Sequence, residues 1–64
     1  MCLSTVYRET KDGRKKLCEY VSLIRIAPGK VILTDIMGAE TELFGSVRSM
    51  DLVKNEVILS EEEG

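Results

Sequence analysis

The second residue of the chain is a cysteine, and its spacing from the amino end is that of a metal chelate. The Met1 α-amine, the intervening amide nitrogen and the Cys2 thiolate are placed so that two fused five-membered rings can close around one ion, with all donors in a plane. An α-amine ordinarily titrates at about 7.7–8.0 and a thiol at about 8.5, so a bound divalent cation can displace both protons. A planar set of nitrogen and sulfur donors suits nickel(II), which accepts square-planar coordination where zinc prefers a tetrahedron. Copper(II) shares the planar preference, but a thiolate tends to reduce it. One chain supplies at most three such donors, leaving the fourth to a symmetry mate, another side chain or solvent. The same cysteine also reads as a small apolar residue opening a first strand. Cys18, the second thiol, reads as core more readily than as a ligand.

Other chemistries fall away because their residues are missing. The chain has no histidine, so it lacks the usual general base near neutral pH and the commonest metal ligand. Ser/His and Cys/His nucleophiles are excluded with it, and no glycine-rich phosphate loop occurs. Glu40 and Glu42 have the types for acid–base work, but alternate carboxylates on a strand also describe a solvated face. A structural zinc site needs four ligands, and two cysteines without CxxC spacing do not provide them. These absences point to binding rather than catalysis.

The net charge of −2 and the pI of 5.0 do not favour a nucleic-acid partner. A local basic run, Arg8, Lys11, Arg14, Lys15 and Lys16, nevertheless keeps a second reading open. In it, a small RNA-binding β-barrel uses this hairpin with Tyr7 or Tyr20 as a stacking face. A third reading is an adaptor whose exposed strand edge pairs with a partner.

The elements that must position these residues are short strands. With 64 residues, 44% of them hydrophobic and 31% charged, the chain is expected to form one folded domain over residues 1–60, followed by an acidic, disordered tail at 61–64. A chain this short buries only about 60% of its unfolded surface, so oligomerisation, a metal or a disulfide would help to stabilise it. Cys2 to Glu9 alternates, with Leu3, Thr5 and Tyr7 on one face and Cys2, Ser4, Val6 and Arg8 on the other. Asp12-Gly13 supplies a turn, and a return strand follows through Lys15 to Leu17. From Cys18 to Ala27 the apolar parity changes, which predicts a bulge near Leu23. Pro28-Gly29 turns the chain into Lys30 to Ile36, and further strands are expected over Glu40 to Phe44, Val47 to Val53 and Glu56 to Ser60. Lys54-Asn55 reads as the two-residue link of a last hairpin. Leu17, Val21 and Ile24 have helical spacing, but β-branched and aromatic neighbours favour strand. The expectation is an all-β fold, a strongly curved antiparallel sheet of six or seven strands forming a partly closed, SH3-like barrel. No apolar run is long enough to span a membrane and no secretion signal is evident, which predicts a cytoplasmic protein with free thiols.

The motif order also carries a resemblance. MC at the start, the strand MCLSTVY, and then Val21, Ile24, Gly29, Val31, Leu33, Asp35, Gly38, Gly45, Asp51, Leu52, Val57 and Leu59 resemble the CooT family of small nickel-binding proteins. That family is linked to nickel insertion into carbon monoxide dehydrogenase. The resemblance implies a homodimer of small β-barrels holding nickel(II) near the dimer axis. Cys2 would be the indispensable ligand, and Met1 would contribute through its amine and backbone rather than its sulfur. Similar proteins have also been described as RNA-binding, which keeps the alternative in view.

Overall fold

Alternating polar and apolar residues, punctuated by glycine turns, divide the chain into six strands joined in one sheet. The computed structural model describes residues 3–60. Met1 and Cys2 lie outside that range, as does the 61–64 stretch for which disorder was expected. The strands are β1 (Ser4–Thr10), β2 (Gly13–Ala27), β3 (Lys30–Asp35), β4 (Glu40–Phe44), β5 (Val47–Asp51) and β6 (Glu56–Leu59), and none of the described residues is helical. Their order across the sheet is β4-β3-β2-β1-β6-β5. Four of the neighbouring pairs are antiparallel, but β1 and β6 run parallel. The sheet is therefore mixed, which corrects the all-antiparallel expectation. A parallel pair needs a long crossover, and the whole of β2 to β5 serves as one here.

The return of the first hairpin and the Cys18 to Ala27 segment are a single strand of 15 residues. Its first part pairs with β1 and its second part with β3. Between them the register slips from Val21 to Leu23, leaving Ser22 as the extra residue. Its hydroxyl lies 3.2 Å from the Thr34 carbonyl oxygen and donates to it. This is the bulge that the change of parity foretold: Val21 is buried before it, and Ile24 packs on the core after it. Tyr20, just ahead, adopts a positive φ of 57°, a conformation that costs a residue with a Cβ about 1 kcal/mol.

The buried apolar residues are Val6, Val21, Val31, Leu33, Val57 and Leu59, on one face of each central strand, and Arg8 is buried beside them. The outer strands β4 and β5 are joined only by Gly45 and Ser46. Three Cα steps reach at most about 11 Å, whereas five strand spacings across a flat sheet amount to about 24 Å. The sheet therefore bends until its outer strands meet at one corner. No ladder joins β4 to β5, so the sheet is open, and the partly closed SH3-like barrel is corrected to an open mixed sheet. Side-chain bonds stand in for the ladder at that corner. Arg8 donates through Nη2 to the Phe44 carbonyl at 2.9 Å and through Nη1 to the Ser60 carbonyl at 3.1 Å. Gly45, at φ +121°, would bring a Cβ to 3.1 Å from Arg8 Nη1, so a residue without one leaves room for the guanidinium.

Candidate functional site

The sequence-derived metal ligands, Met1 and Cys2, lie outside the described residues, and the structure shows only where they lead. Leu3 precedes β1, whose first residue Ser4 pairs with Val21. The adjacent Thr5 donates its N–H to the Asn55 carbonyl at 2.9 Å. The chain thus enters at the end of the sheet that also carries the β2 bend, the β3–β4 turn and the β5–β6 turn. Ile36 donates its N–H to the Tyr20 carbonyl at 3.0 Å, which ties the first two of these together. Tyr20 (61% exposed), Ile36, Met37 (87%), Leu52 and Val53 (93%) stand exposed there.

That end is shaped by local polar bonds. Asp35 Oδ1 accepts the N–H groups of Met37 and Ala39, which fixes the turn that presents Met37. Asp51 Oδ1 accepts those of Val53 at 3.0 Å and Lys54 at 2.9 Å. The Lys54 N–H, followed by that of Val53, holds the Asp51 carboxyl below its ordinary value of 3.8 against an opposing contribution from desolvation. The link here runs over Leu52–Asn55 rather than the two residues expected, because Asp51 organises a wider turn that Asn55 closes at φ 56°.

Cys18 is half-buried, opposes Val6 and packs on the core, in line with its core reading. Among the described residues no three His, Cys, Asp or Glu side chains come together to hold a metal ion. Glu40 pairs with Arg25 at 2.8 Å and Glu42 with Lys30 at 3.3 Å on an exposed face, so these carboxylates behave as a solvated face.

The basic run does not form one surface. Arg8 is only 8% exposed and turns inward to the two carbonyls. Arg14 pairs with Glu56 at 3.3 Å and stands over the Tyr7 ring, 5.5 Å from its centroid. Lys16 pairs with Glu19 at 3.2 Å. The RNA reading thereby loses its first arginine to the interior and Tyr7 to a neighbouring cation. Arg8 is the residue whose role sequence reasoning missed: its parity with Val6 was the available signal.

Against this geometry, the comparison with protein families is decisive. The family model described as CO dehydrogenase accessory protein CooT matches residues 1–60. The chain belongs to the CooT family. A crystal structure described as that of a candidate CooT from Carboxydothermus hydrogenoformans is similar at a TM-score of 0.84 with 18% identity, covering 97% of this chain and 100% of that one. At that identity the likeness establishes the shared CooT fold. No curated protein matches the sequence. The match of the CooT model begins at Met1 and so takes in both residues of the proposed chelate.

Proposed function

We propose that this CooT-family protein carries nickel(II) and supplies it to carbon monoxide dehydrogenase or a related nickel enzyme during maturation. Its role is that of a metal carrier in the cytoplasm rather than a catalyst. The observation that carries the reading is the family match over residues 1–60 on a chain whose sequence opens Met1-Cys2, residue types that offer amine, amide and thiolate donors at chelate spacing. The ion is cargo. The Met1 amine, the deprotonated Met1–Cys2 amide nitrogen and the Cys2 thiolate would hold it, their protons passing to solvent as the metal binds, and a second protomer or solvent would complete the square. A site with one position left to solvent or a second protomer suits a protein that must give its metal away, because exchange needs an open coordination position.

A homodimer is part of the proposal. What supports it is the number of exposed apolar side chains at the end where Leu3 enters β1, since exposed apolar surface of this kind marks interaction sites. A pair of protomers meeting there would bring two amino ends together.

The test is an absorption titration with nickel(II). Planar nickel–thiolate bands are expected on addition of metal to the wild-type protein and are expected to be lost in Cys2→Ser. Unchanged affinity in Cys2→Ser overturns the reading, and so does a spectrum of octahedral nickel without thiolate bands.

A further inference from the structure

One face of the β1–β2 hairpin carries positive charge that no ion-pair carboxylate among the described residues answers. Arg8 and Lys15 are cross-strand partners, so their side chains leave the same face of the sheet, where opposed like charges repel. Lys11 stands in the turn beyond them. With Thr10, Leu17 and, from across the fold, Leu43 of β4, these cations line an open cleft of about 460 Å³. Glu9 also borders it, but its carboxylate pairs with Arg48 at 3.1 Å. Arg8 bonds only to neutral carbonyls, so its charge is hydrogen-bonded and not cancelled. Arg14 and Lys16 are each matched by a carboxylate, whereas Lys11 and Lys15 are exposed and have no such partner among the described residues.

Three cations over a floor of two leucines form an amphipathic site. A bare inorganic anion would leave the leucines uncovered, and a neutral apolar ligand would leave the cations unmatched. The cleft reaches Leu43 on β4, which is an outer strand of the sheet, and an exposed strand edge is a template for an added strand. Its volume is within the range of about 300–1,000 Å³ usual for ligand sites.

We propose that this cleft binds an acidic peptide segment in extended conformation. The segment lies beside β4, with its apolar side chains on Leu17 and Leu43 and its carboxylates on Lys11 and Lys15. The sign of the charge selects the partner, and the leucines set among the cations select a segment that carries both acidic and apolar side chains. The cleft lies at the far end of β1 from Leu3, so the site is independent of the nickel reading and is tested without metal.

The probe is a fluorescein-labelled octapeptide, Glu-Leu-Glu-Val-Glu-Leu-Glu-Val, with a lysine-for-glutamate version as control, added to metal-free, isotopically labelled full-length protein. Anisotropy should report saturable binding of the acidic peptide only, several-fold weaker at about 300 mM than at about 50 mM salt. Amide shifts should centre on Lys11, Lys15, Leu17 and Leu43. Lys11→Glu combined with Lys15→Glu should weaken binding tenfold or more, and because both side chains are exposed the amide spectrum should otherwise persist. Lys16→Ser should change it less than twofold. Equal binding by the charge-reversed protein overturns the proposal, as do shifts that map elsewhere. A further arm replaces Glu61, Glu62 and Glu63 with glutamine. If the peptide binds only after that change, the chain's own acidic end is the occupant and a separate acidic partner is refuted.

Discussion

Arg8 shows how one side chain can do what a missing ladder does not. Its two guanidinium nitrogens bond the Phe44 and Ser60 carbonyls, 36 and 52 residues away in the chain, at the corner where the outer strands meet. Removing it strands two carbonyls, and Arg8→Met is expected to lower the unfolding free energy by about 2–4 kcal/mol in urea titrations, the cost of orphaned partly buried acceptors. Arg8→Lys should recover only part of this, since an ammonium on a flexible stem does not reproduce a planar fork. An Arg8→Met variant as stable as the wild type would show that the corner is held by its other bonds, such as those of the Ser46 N–H to the Ser60 hydroxyl at 3.1 Å and of the Ser60 N–H to the Ser46 carbonyl at 2.8 Å. The alternation of β1 puts Val6 and Arg8 on one face, yet the arginine reads as part of the basic run of the hairpin because charged residues are rarely buried. Nothing local announces that two distant carbonyls converge on it. For the same reason Cys18 was legible, as a small apolar residue opposite Val6 needs no distant partner to explain it.

At the scale of elements, what was readable followed from local rules, and what was missed followed from pairing across the fold. The Pro28-Gly29 hairpin was readable because proline presets φ and Gly29 takes the positive φ of 74°, and the β4 limits because Gly38 and Gly45, both at positive φ, bracket it. The bulge was readable from parity. The parallel pairing of β1 with β6 was not, since it depends on which distant strand fills the gap beside β1. Two predictions belong here. Tyr20 sits exposed in the left-handed region, so Tyr20→Asn, which tolerates that conformation, should raise stability by up to about 1 kcal/mol in chemical denaturation. A loss of stability would mean that the exposed ring packs on something the strain argument ignores. The β5–β6 turn should respond to acid. The Asp51 carboxyl is held below 3.8 in the folded protein, so its contribution is present above the unfolded value. It disappears as pH falls through the depressed folded one. Faster amide exchange at Val53 and Lys54 is therefore expected below about pH 4 in the wild type, and at neutral pH in Asp51→Ala. Exchange at those amides that stays slow and pH-independent after correction for intrinsic rates would refute the role given to Asp51.

For the molecule as a whole, the imbalance between apolar content and core size is the main physical fact. Hydrophobic residues are 44% of the sequence, yet six apolar side chains form the buried core of the described residues. Much of the remainder stands exposed, with Tyr20, Ile36, Met37, Leu52 and Val53 gathered where the chain enters β1. A domain of this length is marginal by itself, and association that covers such a surface adds stability that grows with protein concentration. The proposed homodimer accordingly predicts sedimentation at twice the chain mass and a thermal midpoint that rises with concentration. Leu52→Lys combined with Val53→Lys lies in an exposed turn and removes no buried contact, so the variant should fold. It should sediment as a monomer with a concentration-independent midpoint. If nickel's fourth donor comes from the second protomer, the same variant should also weaken nickel binding while leaving the Cys2 thiolate bands in place at high metal, since solvent can fill the vacated position. A wild-type protein that sediments as a monomer across about 1–100 µM, with a midpoint independent of concentration, would remove the dimer from the proposal. Each chain would then have to complete its own nickel square from solvent or from a side chain of its own.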